Sequence, residues 1–164
     1  MSGRSIQSTG SLGDLMKVQC RGSRLEDLSK DLVDSLFDLE TLRATGAHRP
    51  RITAGKKYTV YGISCGAGNI WFDIVDDDEM CYTVGVLAVF FTISDSKPSK
   101  TWVCHLNDRG FLFLWPPSWL EPLYHDRLTD GDPEVVADFG RVKAAVDSEV
   151  STVSEVEGGS KSSK

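Results

Sequence analysis

Four cysteines (Cys20, Cys65, Cys81 and Cys104) and three histidines (His48, His105 and His125) are the side chains here best suited to nucleophilic or metal chemistry. A catalytic thiol needs a base within hydrogen-bond reach, and that base needs a partner to orient it. Cys104 and His105 are adjacent, so on a strand they point to opposite faces and cannot form such a pair. His125-Asp126 is a second adjacent pair. An enzyme would have to bring Cys104 or Cys65 to His125 from distant segments, and no nucleophile elbow or cysteine-protease signature supports that arrangement. No catalytic residue is therefore assigned. The cysteines also lack the closely spaced ligand pair of a zinc site, so they are expected to be reduced thiols and no metal is expected.

Two further stretches invite a chemical reading. Gly62-Ile63-Ser64-Cys65-Gly66-Ala67-Gly68 is glycine-rich and follows a strand-like run, but it lacks the Lys-Ser/Thr ending of a phosphate loop. A second strand follows it instead of a helix, so these glycines read as a hairpin turn and no cofactor is expected. Asp76-Asp77-Asp78-Glu79 lacks the alternating spacing of a calcium loop and reads as a solvated acidic loop or a patch for a basic partner.

The elements that must position these groups are legible as patterns. Leu25, Leu28, Leu32, Leu36, Leu39 and Leu42 recur at intervals of three and four, which predicts one amphipathic helix. Ser23 and Glu26 have capping-box spacing at its start, and Gly46 is suited to its end. β-formers dominate from Tyr58 to Ile63, Ile70 to Val75, Cys81 to Ile93, Thr101 to Leu106 and Phe111 to Trp115. The third run is long enough to break near Gly85, and Asn107-Asp108-Arg109-Gly110 signals a hairpin. Short connections make neighbours antiparallel. Asp132-Pro133 then predicts a helix start, followed by an apolar face of Val135, Val136, Phe139, Val142 and Val146. The expected class is α+β: an antiparallel meander of about five strands packed against an N-terminal helix, with a C-terminal helix.

The 164 residues, 40% hydrophobic and 26% charged, suit one domain with a real core. Residues 1–22 and 151–164 are rich in Ser and Gly and read as flexible ends, leaving 23–150 as the folded part. Met1 to Gly13 has no apolar block behind a basic one, and no apolar run reaches membrane-spanning length, so a cytoplasmic location is expected. The net charge is −6, and from Leu106 to Val150 nine acids face four bases. That balance argues against nucleic acid, whose phosphates need clustered Lys and Arg, and favours a basic protein partner.

Lys57-Tyr58-Thr59-Val60-Tyr61-Gly62-Ile63, then Trp71-Phe72-Asp73-Ile74-Val75-Asp76-Asp77, and Arg127-Leu128-Thr129-Asp130-Gly131-Asp132-Pro133 with Phe139, resemble a pattern in small acidic bacterial proteins. Several proteins of that kind are immunity partners that neutralise a secreted toxin. The resemblance covers residues 55–140 and carries no active site. It implies an immunity or inhibitor protein that occludes its partner's active site with an acidic, aromatic surface. Expected contacts are Asp76, Asp77, Asp78, Glu79, Asp126 and Asp130, with Trp119 beside Pro116-Pro117 partly exposed as an anchor. The alternatives are the Cys/His enzyme above and a structural or regulatory domain that pairs through a strand edge.

Overall fold

The computed structural model describes residues 15–47, 49–78 and 82–149. The α+β class and the C-terminal helix hold, and among the described residues eight strands form two antiparallel sheets. Strands β1 (Lys17–Cys20), β2 (Lys57–Thr59) and β6 (Phe91–Asp95) make a three-stranded sheet in the order β2-β1-β6. The other sheet contains β3 (Gly62–Gly66), β4 (Asn69–Ile74), β5 (Val84–Leu87), β7 (Val103–Leu106) and β8 (Leu112–Trp115). Its order is β5-β4-β3-β8-β7, so β3 is the centre and the chain does not run as a simple meander.

Three sequence expectations differ in detail. Lys17–Cys20, within the stretch read as a lead-in, is the central strand of the smaller sheet. Its alternate residues Val18 and Cys20 are buried, and it is held by partners about 40 and 75 residues away, which local composition does not register. The run from Tyr58 to Ile63 divides at the buried pair Val60-Tyr61, where the chain passes from one sheet to the other. The break in the third run falls at the 3-10 turn Ala88–Phe90, while Gly85 stays within β5 opposite Asp73.

The leucine-rich stretch is not one helix. It forms a 3-10 turn at Leu25–Asp27, then α1 (Lys30–Asp34) and α2 (Leu39–Ala44). Side chains that bond to backbone divide it. The Asp27 carboxylate, not a Ser23–Glu26 box, accepts the Ser23 and Arg24 amides at 3.0 and 2.9 Å. Asp38 is left-handed (φ 51°) and caps α2 through the Thr41 amide. Between them the Asn69 side chain grips both the amide and the carbonyl of Phe37, at 3.2 and 2.9 Å, so this backbone bonds to the β3–β4 turn. Leu25 and Leu42 are buried, and Leu28, Val33, Leu36 and Leu39 pack beside them. The stripe thus covers the core as predicted, without helical continuity. Gly46 follows α2 as expected.

Two cores result. One lies between the sheets, where Phe72, Ile74 and Val86 meet Val18, Tyr58 and Phe91. The second is made by α3 (Tyr124–Thr129) and α4 (Pro133–Ser148). Asp132 caps α4 through the Glu134 amide at 3.0 Å with Pro133 at its first position, as read from the sequence. Val135, Phe139 and Val146 of α4 are buried with Trp119, Tyr124 and Leu128. The Tyr61 hydroxyl donates to Asp147 at 2.8 Å and fixes the helix to the crossover between the sheets. No helix among the described residues is long and apolar enough to cross a membrane.

Candidate functional site

β7 and β8 form the hairpin expected at Asn107–Gly110, with Asn107 Oδ1 accepting the Arg109 and Phe111 amides. Pleating sends Phe113 and Trp115 to one face of β8 and Leu112 and Leu114 to the other. His105, opposite Phe113, shares the aromatic face, and its ring stacks on Phe113 with centroids 6.4 Å apart. The Phe113 and Trp115 rings are 4.4 Å apart. After Trp115 the chain turns through Pro117–Leu120 and enters α3, which lays His125 against Trp115 at 4.9 Å and against Trp119 at 5.8 Å.

These rings floor an open cleft of about 320 Å³, with Leu123, Glu121 and Asp126 at its rim. Leu123 is left-handed (φ 61°) and two-thirds exposed. A bulky residue in that region costs on the order of 1–3 kcal/mol and concentrates at functional loops. Burial holds the His125 imidazole below its usual pKa, against a smaller opposing effect of Asp126, and favours the neutral ring. Below the cleft floor, Asp73 of β4 is buried at the middle of the sheet and accepts the Trp115 indole N–H at 2.7 Å. Burial pushes its carboxyl up to about 6, while the bonds from Trp115 and Ser64 favour the ionised form.

One side of the cleft is the edge of the sheet. β7 pairs only with β8 among the described residues, and its four residues are exposed, Val103 and Leu106 among them. This edge carries no lysine, arginine or proline of the kind that guards such strands.

The expected contact residues divide between two places. Asp126 is exposed on the cleft rim, while Asp130, also exposed, ends α3 and does not line the cleft. Trp119 is a correction: it is 1% exposed, stacked 5.7 Å from Phe139, and serves as the floor's inner wall. Tyr124 and His125 of α3 and, twenty residues on, Phe139 of α4 cover it.

The acidic run is mostly not a free surface. Asp76 is buried and its Oδ1 accepts the Asp78 amide at 3.1 Å. Asp77 accepts Lys56 at 2.6 Å, Tyr58 at 2.8 Å and Thr53 at 2.7 Å, and Asp78 pairs with Arg51. Partial burial works to raise the Asp77 pKa, but these three donors outweigh it and lower it. Burial and the Asp77 charge push Tyr58 up to about 12. The run latches the 51–58 segment to the end of β4. Glu79 lies outside the described residues.

The Cys/His alternative is not assembled. Cys104 pairs with Leu114 and Cys65 with Leu112, on the sheet face away from Phe113, Trp115 and His125. Burial raises the Cys65 and Cys20 pKa values, which disfavours the thiolate. Among the described residues no group of His, Cys, Asp and Glu could hold a metal ion.

The sequence reading missed the aromatic set of His105, Phe113, Trp115 and His125. The Phe111-x-Phe113-x-Trp115 alternation, which puts three rings on one strand face, was the signal that could have found it. In comparisons with known proteins, no family model matches this sequence, and neither a curated protein nor a solved structure matches it.

Proposed function

We propose that this chain is a cytoplasmic protein-binding module of the inhibitor or immunity type, which takes a basic segment of its partner in the aromatic cleft. The observation that carries the reading is the aromatic floor of Phe113, Trp115 and His125 with Glu121 and Asp126 at the rim, directly beside the open edge of β7. Aromatic faces attract a Lys or Arg head group, and nearby carboxylates add to that attraction where water is partly excluded. An extended segment pairing with β7 would supply main-chain hydrogen bonds, while its side chains enter the cleft. The immunity-type part of the reading rests on the sequence resemblance alone.

The test is affinity capture from the source cell with the intact chain as bait, at low and moderate salt. Any partner found is then titrated against Asp126→Lys, Glu121→Lys and Leu106→Lys variants. A salt-released basic partner whose affinity falls about tenfold or more in each variant supports the reading. Unchanged affinity in all three removes the cleft from the interface.

A further inference from the structure

The far edge of the same sheet carries a second cleft. Between Leu42 and Thr59 this acidic protein places Arg43, Arg49, Arg51, Lys56 and Lys57 without a single acid. Arg51 is paired with Asp78 and Lys56 with Asp77. Arg49 is exposed, and no carboxylate among the described residues pairs with it. Residues 45–47 and 49–51 face β5 across an open cleft of about 520 Å³. Its walls are the half-buried Trp71 indole, Val84, Val86 and the backbone of Gly85. Gly85 leaves this wall open: an added Cβ would lie 4.0 Å from the Trp71 Cβ and 3.7 Å from Asp73 Oδ1. At the end of the cleft sits Asp76, more than nine-tenths buried, which accepts backbone amides and no side-chain donor among the described residues.

We propose that this cleft binds a small planar organic anion, whose ring lies on Trp71, whose anionic group meets Arg49 and whose ring N–H donors face Asp76. Each group on the page asks for one part of that ligand. The indole wall, with Pro50 also lining the cleft, offers a flat ring a dispersion contact. A guanidinium without a carboxylate partner binds phosphate or carboxylate with paired N–H donors. A buried carboxylate without a side-chain donor gains most from a ligand N–H, and it repels a ligand that presents a lone pair there. The cleft size falls within the usual range for small-molecule sites, which are mostly apolar with a few convergent polar groups.

Guanosine monophosphate carries all three features and is the probe. Adenosine monophosphate keeps the ring and phosphate but presents an acceptor where guanine has a lactam N–H. Inorganic phosphate keeps the anion alone. Calorimetric titration of the full chain is expected to show saturable binding of the guanine nucleotide, weaker adenine binding and weaker phosphate binding. Arg49→Gln, on an exposed side chain whose loss leaves the fold intact, should weaken the guanine nucleotide about tenfold. Asp76→Asn, which keeps the shape that accepts the Asp78 amide, should narrow the guanine-over-adenine preference. Gly85→Val should block binding by filling the wall, with circular dichroism confirming the fold. No saturable binding at millimolar guanosine monophosphate overturns the proposal. Binding that Arg49→Gln leaves unchanged, or equal affinity for both nucleotides, overturns it as well.

Discussion

Trp115 and Asp73 meet across the five-stranded sheet, with the indole Nε1 donating to Asp73 Oδ2 at 2.7 Å over the intervening strand β3. The contact is possible because the β3 residue opposite Asp73 is Gly62. A Cβ on Gly62 would come within 2.5 Å of the Trp115 ring and 3.0 Å of the Asp73 carboxylate. Gly62 leaves the slot for a carboxylate in a sheet face otherwise crowded with rings, and the carboxylate holds the floor of the aromatic cleft in place.

Gly62→Ala should therefore act at a distance on the cleft. Overpacking at this point is expected to cost about 1–3 kcal/mol. Urea unfolding followed by far-UV circular dichroism measures the loss, and a shift in the tryptophan emission reports displacement of Trp115. Stability within a few tenths of wild type would show that the slot is not tight.

The pH dependence of stability should carry the signature of Asp73. Its carboxyl is raised from 3.8 to about 6, so between those values the folded chain holds a proton that the unfolded chain releases. Rising pH then favours the unfolded state. The contribution is fully present below about pH 4 and is lost as pH rises to about 6, by on the order of 2–3 kcal/mol. Asp73→Asn removes this dependence, so the wild-type curve should fall relative to the variant over that window and run parallel above it. Parallel curves throughout would place the Asp73 pKa near its ordinary value.

Leu123 sets stability against binding. Glycine takes its left-handed backbone without strain, so Leu123→Gly should leave the protein as stable as wild type or raise its stability by about 1 kcal/mol. The same change removes an exposed apolar side chain from the cleft rim, and partner affinity should fall. A variant that is both less stable and equally tight in binding contradicts both halves of the argument.

Thiol chemistry should follow exposure. In a Cys81→Ser background, iodoacetamide near neutral pH should modify Cys104 first, since it is exposed on the edge strand. Cys20 is buried and Cys65 is half-buried, with burial raising both thiol pKa values, so they should react slowly until the protein unfolds. Peptide mapping after brief labelling checks the order. Rapid labelling of Cys65 ahead of Cys104 would revive the enzyme reading.

Short-range chemistry made parts of this protein legible in advance. Asp132-Pro133 begins α4 and Asn107–Gly110 closes the β7–β8 hairpin, because caps and turns are decided by groups within a few residues of one another. The leucine spacing identified residues that cover the core, but it did not fix a helix there. Asn69, more than 30 residues away, competes for the backbone of Phe37 and bends the chain between α1 and α2. The acidic run was visible as charge, yet whether it faces water or partners depended on Lys56, Tyr58 and Arg51 arriving beside it. Pro116-Pro117 beside Trp119 suggests exposure, but Phe139, twenty residues on, packs with Tyr124 over the indole and buries it. The sequence by itself determined composition, net charge, the α+β class and the local starts and stops. Only the tertiary structure decided which strand lies beside which, and so placed Asp73 under Trp115, and Cys65 and Cys104 on the far face from His125. Those relationships depend on long-range strand register, which many sequences with the same local pattern could satisfy in different ways.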